Sequence, residues 1–157
     1  HQGSALEMPF DSESYDMVWT EHAQMNISDK KSLYTEIARV VKPRGRLVFH
    51  DIFQGPGGNP HYPVPWAGDS SISFLIAEED LKDVLKRVGF RVRDWEDRSA
   101  ASLNWFRAAA ERMKQKGPPP IGIHLLMGDT AKEKFGNVIR NLQDNRITVL
   151  QAVLEKV

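Results

Sequence analysis

Apolar positions along this chain switch between two spacings. Tyr15-Asp16-Met17-Val18-Trp19-Thr20 has the short apolar run of a strand, with Glu21 and His22 at its C-terminal end. From about Asp29 to Val41 the spacing becomes helical. Leu33, Tyr34, Ile37, Ala38 and Val41 share one face, and Ser28 is placed to cap the first turn. Lys42-Pro43-Arg44-Gly45 stops the helix, because Pro cannot continue it and Gly45 can take a positive φ. Arg46 to Phe53 is dense enough in apolar residues for a strand buried on both faces. Strand, helix and strand so closely spaced predict a right-handed βαβ unit in a parallel sheet.

A long stretch rich in Gly and Pro follows, Gln54 to Phe74, carrying His61, Tyr62 and Trp66. Loops of that length are usually functional or disordered, and the aromatics favour an ordered flap. Ala77 to Val88 is amphipathic (Leu81, Val84, Leu85, Val88) and closed by Gly89. Phe90 to Asp97 reads as a strand. Ser99 to Lys116 reads as a helix with Leu103, Phe106, Ala110 and Met113 on one face, ended by Gly117 and three prolines. A capping box, Thr130-x-x-Glu133, opens another helix with Phe135, Val138, Ile139 and Leu142 inward. Ile147 to Leu154 is apolar on both faces and predicts a central strand. The result is an α/β domain of four strands, with two helices at about 99–145 inserted between the third and fourth.

Composition narrows the function classes. The 157 residues carry 21 Lys plus Arg and 21 Asp plus Glu. A net charge of zero gives no electrostatic footprint for nucleic acid or an anionic membrane. With no cysteine there is no disulfide framework, thiolate chemistry or expected metal site, which fits a cytoplasmic setting. No apolar run approaches membrane-spanning length.

Candidate chemistry follows from position. Ligands of α/β sheets bind at the C-terminal ends of parallel strands. Those ends carry Glu21-His22 and His50-Asp51. The plainer readings are a solvated strand-end pair for the first and a surface hydrogen-bonded pair for the second. Gly55-Pro56-Gly57-Gly58 is not a phosphate cradle, since no helix follows directly and no Lys-Ser/Thr completes a P-loop. Trp105 and Phe106 suit core packing better than a site, and His124 in its apolar run suits a structural histidine.

The residues that carry a family resemblance are three ordered motifs. Gly3-Ser4-Ala5-Leu6-Glu7-Met8-Pro9-Phe10 resembles the adenine-contacting turn of the class I S-adenosylmethionine-dependent methyltransferases. Tyr15-Asp16-Met17-Val18 resembles their F-D-x-V strand, and Arg39 to Leu47 resembles their R-V-L-K-P-G-G-x-L turn. The HAQMNI, PVPWA and IGIHLLMG segments resemble a bacterial subgroup near sarcosine/dimethylglycine N-methyltransferases and quinone C-methyltransferases.

The resemblance implies a Rossmann-like sheet with helices on both faces, and S-adenosyl-L-methionine as cofactor. It implies cofactor contacts from Gly3, Ser4, Ala5, Leu6, Glu21 and His22, with Ser4 standing where the family has an Asp. Met25, Asn26 and Trp66 would meet a small-molecule acceptor, and His22, His50 and Asp51 would take the catalytic roles. The family's first strands and Gly-rich loop have no counterpart in these 157 residues. The expectation is therefore the C-terminal portion of a single methyltransferase domain, with the 99–145 insertion as a substrate cap and no competence alone. The alternatives are a non-catalytic binding module or a half-site completed by another chain, including a homodimer through the exposed first strand.

Overall fold

The computed structural model describes residues 1–117 and 119–157, so one of the three prolines expected to close the third helix, Pro118, lies outside the described residues. The strands are β1 (Tyr15–Glu21), β2 (Val41–Gln54), β3 (Phe90–Asp97) and β4 (Ile147–Lys156). The helices are α1 (Lys30–Val40), α2 (Glu78–Arg87), α3 (Ser99–Lys116), the short α4 (His124–Met127) and α5 (Ala131–Gln143). The sheet order is β1-β2-β4-β3. β1 runs parallel to β2, whereas β4 is antiparallel to both β2 and β3. The sheet is thus mixed where the sequence suggested a parallel one. β1, β2 and β3 all deliver their C-terminal ends to the same side, and β4 is the central strand its two-sided apolar pattern predicted.

The two faces bury separate clusters. Leu33, Tyr34, Ile37 and Ala38 of α1 and Leu81 and Leu85 of α2 pack on Leu47, Phe49, Phe53, Leu150, Ala152 and Leu154 of the sheet. On the opposite face Val138 and Leu142 of α5 meet Ile52, Ile147, Val149 and Met25, with Leu103 and Phe106 of α3 at the margin. Successive strand residues face opposite sides, so one sheet carries both cores.

Three local expectations are corrected. The cap of α1 is Asp29, not Ser28. Its carboxylate accepts from the Ser32 N–H at 2.9 Å and the Ser32 hydroxyl at 2.6 Å, two charge-assisted bonds where Ser28 offers one neutral oxygen. The positive φ falls on Arg44 (64°), inside β2, rather than on Gly45. Gly45 is needed for close approach instead: a Cβ there would lie 2.9 Å from Asp16 O and 2.7 Å from a Val41 methyl carbon. At α5, Thr130 sits at the N-cap without a capping bond, because its hydroxyl donates to Met127 O in the 3-10 turn that precedes the helix.

Candidate functional site at the strand tips

β1 ends by turning sharply. The His22 N–H makes the last ladder bond, to His50 O at 3.1 Å, and His22 itself adopts a left-handed backbone with φ 47°. That conformation is uncommon outside glycine, and it turns the chain out of the sheet into the 3-10 turn Gln24–Asn26. Glu21 and His22 remain exposed at the tip. The His22 and His50 rings meet edge to face with centroids 5.4 Å apart. His50 and Asp51, neighbours in sequence, face opposite sides of the sheet. His50 looks toward His22, whereas Asp51 lies on the α1 side with no solvent exposure.

Asp51 is therefore neither a surface residue nor open to an acceptor. Its Oδ2 accepts from the N–H groups of Ala23 at 3.2 Å and Gln24 at 3.3 Å, and its Oδ1 from its neighbour Ile52 N–H at 3.0 Å. Beneath the turn, the Lys30 ammonium donates to the carbonyls of Gln24 and Ile27. Gln24 is buried too, its amide N–H donating to Ile52 O at 2.5 Å. Burial pushes the Lys30 ammonium down to about 8 against the attraction of Asp51. Burial also raises the Asp51 carboxyl, opposed by its N–H partners and by His22. Partial desolvation of the His22 ring lowers its pKa, the neighbouring His50 adding to this while Asp51 and Glu21 oppose it. Much of its surface is open, and the lowered pKa favours the neutral ring.

Two residues read as acceptor contacts lie elsewhere. Met25 is buried in the α5-side core, because the turn folds its side chain under the sheet end. Trp66 packs on the same cluster and donates its indole N–H to Ser73 at 3.0 Å, so it fastens the flap. Asn26 is exposed beside the tip. Within the Gly3–Leu6 turn the Ser4 hydroxyl oxygen accepts from the Leu6 N–H at 3.1 Å. The Glu36–Arg39 ion pair (2.8 Å) then grips the following residues. Glu36 accepts from Met8 N–H at 3.0 Å, while Arg39 donates to Met8 O at 2.9 Å and Phe10 O at 2.7 Å.

Sequence reasoning missed Lys30, Gln24, Glu36 and Arg39 as parts of this architecture. The available signal was a Lys in the first turn of α1 on the same helical face as Leu33, Tyr34 and Ile37. An open depression of about 470 Å³ lies between Leu6 and the outer face of α1. A second, of about 460 Å³, lies between Asp97 at the end of β3 and the inserted helices. Neither is lined by His22 or His50.

The family model described as a methyltransferase domain matches residues 1–49. An O-methyltransferase of Aspergillus nomiae is 29% identical over 106 residues, covering 65% of this chain and 47% of that protein. The dimethylglycine N-methyltransferase of Parasynechococcus marenigrum is 25% identical over 99 residues, covering 63% and 35%. The chain thus spans less than half the length of either relative. Its fold superposes along its whole length on the geranyl diphosphate C-methyltransferase of Streptomyces coelicolor, with a TM-score of 0.75 at 17% identity, over 52% of that chain. Family model and relatives agree with the motifs in likening this chain to part of a methyltransferase, and the structural match shows the fold. The proteins it resembles are named as O-, N- and C-methyltransferases, so the comparisons leave the acceptor open.

Proposed function

We propose that the chain contributes the acceptor-side half of an S-adenosyl-L-methionine-dependent methyltransferase acting on a small molecule, with His22 as its proton acceptor. The observation that supports this most directly is the exposed, neutral His22 at the C-terminal end of a parallel strand, backed by His50. The residues present fit part of such a cofactor. The Ser4 hydroxyl, its oxygen already accepting from Leu6, keeps its proton to donate to a base edge, and Leu6 offers an apolar face beside it. Gly3 and Ala5 complete that turn, and Glu21 and His22 lie where the methionine end would run.

When bound, the cofactor supplies an electrophilic methyl group on a sulfonium. The chain's residues supply the rest. Neutral His22 takes the proton released by an amine, hydroxyl or carbon acid, His50 fixes the ring from one side, and Asn26 offers a polar contact to the acceptor. Asp51 supports these groups from below. The inserted helices, at about 99–145, act as the cap over the acceptor, their second depression opening toward the same sheet end.

The test is His22→Ala in the complete protein, which should lower turnover at least tenfold while the thermal midpoint stays within about 2 °C. Unchanged kinetics would remove His22 from the chemistry. For the 157-residue chain alone, S-adenosylmethionine binding should be weaker than about 1 mM, because few of the cofactor's polar groups find partners here. Micromolar affinity by calorimetry would refute the half-site.

A second reading has its own observation. β1 is an edge strand with one unpaired backbone side, and on the face away from α1 its Met17 and Trp19 (66%) are exposed. Such an edge recruits another strand, and a second copy paired through β1 would complete it. Light scattering that finds only monomer across micromolar concentrations would exclude the homodimer.

A further inference from the structure

We propose that Asp51 and Lys30 form a buried clamp that positions His22, gripping the turn after β1 by its N–H groups at one end and its carbonyls at the other. The inference rests on the reading of His22 as the acceptor-facing base, but it stands or falls on measurements that do not involve turnover.

The geometry is specific to that turn. The Asp51 carboxylate meets the N–H groups of Ala23 and Gln24, where the 3-10 turn begins. The Lys30 ammonium meets Gln24 O and Ile27 O, where it ends. Negative charge at the start and positive charge at the end complement the dipole of even a single turn. Both groups are withdrawn from water, Asp51 at 0% exposure and Lys30 at 8%. No direct ion pair within 4.0 Å joins them among the described residues. Burying two such charges costs several kcal/mol unless backbone dipoles satisfy them. Here the satisfied dipoles are those of the turn.

What the clamp secures is the residue just ahead of it. His22 holds a left-handed backbone, a conformation that is unfavourable for a non-glycine residue and persists only where its surroundings over-determine it. The His22 N–H is fixed to His50 O, and the next N–H, of Ala23, is fixed to Asp51. With both flanking peptides pinned, the ring is aimed at His50 and the open tip. Asp51 and Lys30 are positioning residues, acting on the chemistry only through His22.

The groups facing Asp51 are Lys30 and Tyr34 from α1 and His22 from the tip of β1. His50 and Glu21 face His22 in turn. Protonating Asp51 should therefore loosen the turn and be felt at the His22 ring.

The experiment is a pH titration of the 157-residue chain by NMR, following the Ala23 and Gln24 amides and the His22 ring. In the unsubstituted protein both amides should move with one shared midpoint, above the ordinary Asp value, and the His22 ring should show an inflection at that pH besides its own. In Asp51→Asn the shared inflection should vanish, and the His22 midpoint should fall because its nearest anionic support is gone. Ala23 and Gln24 should exchange their amide hydrogens about tenfold faster in Asp51→Asn and in Lys30→Met. An identical His22 titration in all three proteins would overturn the clamp. If the variants do not fold, the unsubstituted titration decides alone, and amides that move without a shared midpoint overturn it. A His22 that proves dispensable for methyl transfer would refute the proposed function while leaving this result intact.

Discussion

The flap between β2 and α2 and the first inserted helix invert the usual relation between regularity and rigidity. The flap has almost no regular structure, yet Val64 and Ala67 are buried and its backbone is bonded along its length. Asn141 of α5, fully buried, donates to His61 O at 3.0 Å and accepts from His61 N–H at 2.7 Å. Asn137 donates to Pro63 O at 2.9 Å, and Gly55 and Gly57 donate to the carbonyls of Arg146 and Asn145 at 2.9 and 2.7 Å. The helix α3, by contrast, runs 18 residues without burying one, and beyond it Ile121, Ile123, Leu125 and Leu126 face solvent. A helix satisfies its own backbone and can form on a shallow contact. A loop must borrow partners, so an ordered one is tied down where it lies. Order in the flap is tertiary; order in α3 is mostly local.

The contrast breaks most readily at Asn141. Asn141→Leu removes both bonds to His61 and leaves its part-buried N–H and C=O without these partners, at a cost of about 3 kcal/mol by urea unfolding. A loss below about 1 kcal/mol would mean that the flap is held chiefly by its apolar contacts.

Gly57→Ala comes next. A Cβ there would collide with Asp144 O, and since that atom is backbone, the flap or the α5–β4 turn must shift, costing about 2 kcal/mol. Gly136→Ala is its control inside α5. Nothing lies within 4 Å of the added carbon, so the change should stabilise by about 0.5–1 kcal/mol, again read by urea unfolding. Equal effects at the two glycines would erase the distinction between a packed and an open backbone.

A third kind of attachment, by charge, is provided by Glu36 and Arg39, which hold the Met8–Phe10 backbone. The Arg39 guanidinium and the Met8 N–H draw the Glu36 carboxyl down to about 2. A carboxylate with a depressed folded pKa contributes stability that is present above its unfolded value, near 4.5, and is lost as pH falls toward 2. The Met8 amide should therefore lose exchange protection across that window in the wild type. In Glu36→Gln it should be weakly protected at every pH, and a matching acid response in the variant would assign the window to another group. The smallest effect belongs to the inserted region. Leu126→Ser, at a side chain 89% exposed, should change stability by less than about 0.5 kcal/mol in thermal melts.

The site illustrates how far pattern reading reaches. The end of β1 is legible because the apolar run stops, so Glu21 and His22 were found at its tip, whereas His50 lies inside β2 and reaches that tip only by its register with Glu21. Asp51 was read as a strand-end acid, but it lies within β2 and is fully buried. Alternation sends it to the α1 face, and only the packed helix shows that this face is closed at that height. Met25 and Trp66 failed for a related reason. Each lies beyond a strand end, but an apolar side chain goes where the core has room. Lys30 was passed over, despite sharing the apolar face of α1, because a lysine in the first turn of a helix is normally solvated.

By itself the sequence determined the four strands, the long helices, the central place of β4 and the family motifs. Those features depend on spacing along the chain, and hydrophobic period and helix stops are local quantities. Only the tertiary structure decided that β4 runs antiparallel, that the flap is fastened to α5, and that Asp51 and Lys30 lie beneath the His22 turn. Each of these joins residues distant along the chain, such as Asn141 and His61 or Asp51 and Ala23, whose partnership is set by which surfaces close over one another when both cores are buried.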